Sequence, residues 1–206
     1  MKLEIPYFSY ADIGNKAQVF LTQYHPSFEI PIPIEEIIDV KLGLDIVPIP
    51  NLYKDFGLSG YLTRDHSAIF VDQFQADNYE EKYRFTLAHE IGHYILHRSF
   101  YEDLPFKSPD EYVAWRLSVP PEDMSWFETH GDWFAGHVLV PTAPLENICS
   151  KIVEKYQNRF AQFRTIPDDI WSYISNEVAL YFDVNPPVVE IRIKKENIPQ
   201  KIPIKR

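Results

Sequence analysis

His89 and His93 stand four residues apart with Glu90 between them, in the run His89-Glu90-Ile91-Gly92-His93. On a helix, four residues turn the chain by about 400°, so both imidazoles project from one face with Cβ atoms about 5–6 Å apart. Two ring nitrogens so placed can reach one Zn²⁺ at about 2.0–2.1 Å. Glu90, one position on, can touch a metal-bound water without being a ligand. This is the spacing used for metal-assisted peptide hydrolysis. A His pair on a solvated face would mean little, but here Leu87, Ala88, Ile91 and Ile95 surround it. Burying two imidazoles and a carboxylate among apolar side chains is unfavourable unless something pairs with them, and a metal would.

A catalytic zinc needs a third protein ligand and an open position. His97 lies one turn beyond His93, but a helix advances about 6 Å in four residues, so three ligands on successive turns cannot converge. His97 is therefore expected beside the ligands or in packing. His130, His137 and Glu128 remain, all on a later helix. Glu128 carries an extra argument. Asp132 follows it by one turn, and a carboxylate there could orient a ligating imidazole by accepting its other N–H.

The elements that must hold these groups are short, because seventeen prolines punctuate the chain. Asp12 to Tyr24 reads as a helix with Val19, Phe20 and Tyr24 on its apolar side. Ile34 to Leu42 reads as a second, stopped by Gly43. Leu44 to Pro48 suits an edge strand. Leu58 to Thr63 and Ala68 to Val71 suit a hairpin. Tyr79 to His97 is the strongest helix, with Asn78 as N-cap, Glu81 completing a capping box, and Phe85, Ala88, Gly92, Ile95 and Leu96 as the buried stripe. Ser99 to Pro121 is loose, apart from a helix over Asp110 to Leu117. Further helices are expected over Glu122 to Leu139, Leu145 to Phe160 and Asp168 to Phe182. Val188 to Ile193 fits either strand or helix.

Composition narrows the classes. The net charge is −10 and the pI near 5.1, a poor match to phosphate backbones but attractive to a basic protein. Arg192, Lys194, Lys195, Lys201, Lys205 and Arg206 form a basic stretch read as a solvated tail, with Pro199 and Pro203 opposing a regular helix. No apolar run is long enough to span a bilayer. The start, MKLEIPYFSY, lacks the pattern of a signal peptide. The single cysteine, Cys149, excludes an intrachain disulfide and reads as a small core residue. A cytoplasmic location is expected.

These residues resemble the ImmA/IrrE-type metallo-endopeptidases. Arg84-Phe85-Thr86-Leu87-Ala88-His89-Glu90-Ile91-Gly92-His93-Tyr94-Ile95-Leu96-His97 is similar to the family signature RFTLAHELGHxLLH. Glu128-Thr129-His130-Gly131-Asp132-Trp133-Phe134-Ala135 with Val138-Leu139-Val140-Pro141 is similar to its second block, in which Ala-Asn stands where this chain has Gly131-Asp132. The gap between the blocks is longer than usual. The similarity runs from about Pro31 to Pro141, with an echo at Phe182-Asp183-Val184.

The resemblance implies an α+β, zincin-like metallopeptidase core of the gluzincin kind, mainly helical, with a small sheet beside the active-site helix. It implies His89, His93 and Glu128 as ligands of zinc, or of manganese, and Glu90 as catalytic base. It further implies cleavage of a helix-turn-helix repressor or an antitoxin-like regulator. One metallopeptidase domain over residues 1–206 is expected, with 1–30 a helical extension, 31–141 the catalytic core and 142–206 a helical part ending in the basic tail. The competing class is a metal-containing module that sequesters a regulator without cutting it. A peptidase of short peptides with no regulatory role is a third reading. His130 and Tyr94 are considered as a second donor to the substrate oxygen, each with packing as the plainer role.

Overall fold

The computed structural model describes residues 5–101, 104–160, 163 and 166–202. Helix α1, Tyr10–Tyr24, begins at a reciprocal cap in which the Ser9 hydroxyl accepts from the Asp12 N–H and the Asp12 carboxylate accepts from Ser9. It buries Ile13, Ala17, Phe20 and Leu21 at helical spacing, whereas Val19, expected on that side, is 65% exposed. α2, Ile34–Glu36, continues as a π-helical turn over Ile37–Leu42 and stops at Gly43, whose φ of +67° is the left-handed conformation a helix end favours.

Next come β1 (Asp45–Ile49), α3 (Leu52–Phe56), β2 (Gly60–Leu62), β3 (Ala68–Asp72) and α4 (Gln73–Asn78). The sheet has the order β1-β3-β2, with β1 parallel and β2 antiparallel to β3. Both the edge position of β1 and the β2–β3 hairpin match the sequence reading. Asp72 N–H donates to the Ser59 carbonyl and Thr63 N–H to the Ala68 carbonyl. In an antiparallel ladder this turns the backbone groups of Gly60 and Leu62 away from β3, towards the outer edge.

Helix α5, Glu80–Leu96, starts later than expected. Asn78 is not its cap: it closes α4 and donates its side-chain amide to the Phe74 carbonyl at 2.8 Å. The chain breaks at Tyr79 (φ −136°). No Gly or Pro marks that break, and the Asn78–Glu81 spacing mimics a capping box. The buried side of α5 holds Thr86, Leu87, Ala88, Glu90, Ile91, Gly92, His93 and Leu96, with Phe85 and Ile95 half-buried.

Beyond it lie α6 (Arg98–Tyr101), α7 (Pro109–Ser118), α8 (Pro121–Leu139), α9 (Thr142–Lys155), α10 (Gln157–Phe160), α11 (Asp168–Phe182), α12 (Pro186–Lys195) and α13 (Ile198–Lys201). The single helix expected over Leu145 to Phe160 is two, separated at Tyr156. Val188 to Ile193 is helical.

Within the basic stretch Lys194, Lys195 and Lys201 are exposed as expected, but Arg192 is not a solvated tail residue. Arg192 is 1% exposed and donates to the Val140 carbonyl, to Tyr10, to Thr142 and to Glu196. Pro199 sits in the first turn of α13, where its missing N–H is no loss. Pro203, Lys205 and Arg206 lie outside the described residues.

α8 packs against α5 on one side and α1 on the other. The buried residues from Ile13 to Ile202 form one continuous cluster. The result is a mainly helical α+β fold with its small sheet beside α5, as expected. Among the described residues no helix is long and apolar enough to cross a membrane.

Candidate metal centre

His89 and His93 leave α5 on the face turned to α8, and their Nε2 atoms approach to 3.0 Å. Glu128, on α8, brings Oε2 to 3.3 Å from His89 Nε2. One ligand atom from each of His89, His93 and Glu128 lies within 4.8 Å of the other two. Two imidazole nitrogens and a carboxylate oxygen facing one point are a donor set for a divalent ion.

Each imidazole is held from behind. His89 Nδ1 is 2.9 Å from Asp132 Oδ1. His93 Nδ1 is 3.0 Å from His97 Nδ1, and His97 Nε2 is 3.2 Å from His130 Nδ1. The His93 and His97 rings stack on Phe127 with centroids at 4.0 and 4.6 Å. The close crossing of α5 and α8 depends on glycine: a Cβ on Gly131 would fall 2.7 Å from His89 Cε1.

Glu90 is buried beneath the pair, and its Oε2 accepts from the Leu62 N–H at 2.9 Å. That donor is an outward-facing amide of the edge strand. Burial pushes the Glu90 carboxyl up to about 7, against the pull of His89. For His89, burial disfavours the charged form, but hydrogen bonds to Asp132 and Glu128 outweigh it and its pKa lies well above the ordinary value. Burial and the neighbouring positive charges hold His93 well below it. Burial opposes the charge on Glu128 too, but His89 and Arg116 prevail and its pKa is lowered.

Arg116 was not anticipated from sequence. Its Nη2 lies 2.9 Å from Glu128 Oε1. It comes from α7, within the stretch read as mostly loose, where an arginine on a short helix carries no signal. Together with Thr86, His89, Glu90, Glu128 and Asp132 it lines a cleft of about 270 Å³.

The other sequence candidates fall elsewhere. His130 stands behind His97. His137 faces Tyr10 and Arg192, with Arg192 Nη1 at 3.3 Å from its Nε2. Tyr94 packs against His66 and Arg98. Cys149 is buried, and burial pushes its thiol up to about 12.

The peptidase family model described as the IrrE N-terminal-like domain matches residues 58–194. The chain belongs to this family. The match therefore covers the hairpin, α5, α7, α8 and the helices as far as Lys194 in α12, and it extends past Pro141 to take in Phe182-Asp183-Val184. No curated protein matches the chain. Membership in the IrrE N-terminal-like family supports, at the level of the family, a metal-dependent peptidase.

Proposed function

We propose that this chain is a zinc-dependent endopeptidase that acts in the cytoplasm on a DNA-binding regulator, a helix-turn-helix repressor or an antitoxin-like protein. The observation that carries the reading is the convergence of His89, His93 and Glu128 above a buried carboxylate, Glu90. These three residues fit a divalent ion and would hold it through two nitrogens and one carboxylate oxygen. Zinc suits that set, and manganese can occupy it. When bound, the ion supplies a Lewis acid that polarises the peptide carbonyl and acidifies water.

The chain's own groups do the rest. Leu62 N–H holds Glu90 Oε2, so Oε1 is left to take a proton from the attacking water. Burial raises the Glu90 carboxyl above the ordinary carboxylate range, the direction that suits a group which takes a proton and returns it to the departing amine. Asp132 fixes the His89 ring so that Nε2, not Nδ1, faces the centre.

The regulator reading rests on the family resemblance and on the charge of −10, which attracts a basic, DNA-binding protein and disfavours DNA itself. The sequestering alternative has no use for a buried carboxylate beside the ligand set. The test combines elemental analysis with incubation of the metal-loaded protein and the regulator encoded beside it, followed by intact-mass measurement. About one zinc or manganese per chain and a cut regulator are expected from wild type. Glu90→Gln should keep the metal and cut nothing. A regulator bound tightly but left whole by wild type would favour the sequestering module, and cleavage by Glu90→Gln at the wild-type rate would remove Glu90 from the reaction.

A further inference from the structure

Glu128 uses its two oxygens differently. Oε2 faces His89 at 3.3 Å, and Oε1 meets Arg116 Nη2 at 2.9 Å. The Arg116 and Glu128 side chains are 31% and 29% exposed. A partly exposed ion pair adds little to folding, so stability is a weak reason for this one.

Its placement is nonetheless tightly specified. The Ser108 hydroxyl caps α7 by accepting from Glu111 N–H, and Pro109 sits in the first turn. Tyr112 and Trp115 are buried, and Tyr112 stacks on Tyr61 with centroids at 4.8 Å. The guanidinium itself lies 5.8 Å from the Tyr112 ring centroid. Tyr61 adjoins Leu62, whose amide holds Glu90. One short helix, inserted between the two motif blocks, thus ties the strand that orients the base to the carboxylate opposite it.

A carboxylate can bind a metal through one oxygen or two. A catalytic centre with two imidazoles, one carboxylate oxygen and a water is four-coordinate, whereas a second carboxylate oxygen beside that water would make it five-coordinate and crowd the water position. Resting on the metallopeptidase reading above, we propose that Arg116 is a positioning residue that retains Glu128 Oε1, confines Glu128 to a single ligating oxygen and so keeps the water position open. The contact is an ion pair rather than an aligned hydrogen bond, since Oε1 is buried without a hydrogen-bond partner among the described residues, so the fixed, permanent charge of the guanidinium is what retains it.

Cobalt(II) substitution reads coordination number directly, because four-coordinate cobalt absorbs visible light several-fold more strongly than five-coordinate cobalt. Wild type, Arg116→Ala and Arg116→Lys are each titrated with cobalt alone and their spectra compared at one equivalent. Wild type should show the strong four-coordinate bands. Arg116→Ala should take up one cobalt with several-fold weaker bands, and Arg116→Lys should fall between them. Thermal unfolding of the metal-free proteins confirms that the variants fold, and Arg116→Lys carries the comparison if Arg116→Ala does not. Identical spectra for wild type and either folded variant overturn the role of Arg116 alone. A wild type that takes up no cobalt overturns the metallopeptidase reading and this one with it.

Discussion

A Cβ atom on Gly92 would stand 3.1 Å from the Cα of Gly131. The absence of side chains at this crossing lets α5 and α8 approach closely enough for Glu128 to meet His89 and His93.

Gly92→Ala tests that closeness. Alanine favours a helix by up to about 1 kcal/mol over glycine, but overpacking a close contact costs about 1–3 kcal/mol. The nearest atoms, Phe134 Cβ at 3.0 Å and the Gly131 backbone, cannot turn aside by changing rotamer. A net loss of about 1 kcal/mol is expected in denaturant unfolding, with weaker metal binding in a chelator competition. A variant more stable than wild type with unchanged metal affinity would show that the helices separate freely.

His97 should matter to the metal without touching it. For His93 to present an Nε2 lone pair, its proton sits on Nδ1, so His97 Nδ1 must accept and His97 Nε2 must donate to His130 Nδ1. Loss of such a supporting partner lowers metal affinity about 10–100-fold. His97→Ala is expected to show that loss in chelator competition, and His97→Asn, which keeps an acceptor, a smaller one. Unaltered affinity in a folded His97→Ala would reduce the residue to packing.

Arg192 is the buried cation that ties α12 to α1 and to the end of α8. Its donors go to Tyr10, Val140, Thr142 and Glu196. Arg192→Met keeps the stem but leaves these acceptors without their donor, and removal of one partner from a buried ion pair costs about 3–5 kcal/mol. Urea unfolding should register a loss of about 3 kcal/mol. A loss below about 1 kcal/mol would place the contact among surface-like pairs.

His137 makes stability depend on acid. Burial, then the positive charge of Arg192, lowers its pKa to about 3, against an opposing backbone contact with Tyr10. An unfolded histidine titrates near 6.5, so between about pH 6.5 and 3 the unfolded chain binds the extra proton. Stability therefore falls as pH drops through that window. Tyr10 and Arg192 face the ring, and Glu196 lies beyond the guanidinium. In His137→Gln the unfolding free energy should fall less steeply between pH 6.5 and 4 than in wild type. Equal slopes would mean that His137 is protonated in the folded state.

The sequence by itself determined the pieces governed by local rules. Four-residue spacing on a helix fixes a common face for His89 and His93 whatever surrounds them. Alternation and turn residues marked the β2–β3 hairpin, and the prolines of β1 marked an edge. What needed tertiary structure was anything set by which helix meets which. The choice of Glu128 over His130 and His137 as the group beside the pair follows from how α8 is rotated against α5, and three candidates on one helix share every local property. The start of α5 was misread because Asn78 and Glu81 satisfy a capping pattern that the packing of α4 overrides. Arg192 read as a tail residue because charge alone points to water; only the assembled acceptors of α1, α8, α9 and the end of α12 explain its burial. Arg116 carries no motif, and its meeting with Glu128 exists only because Tyr112 and Trp115 anchor α7 over the cleft.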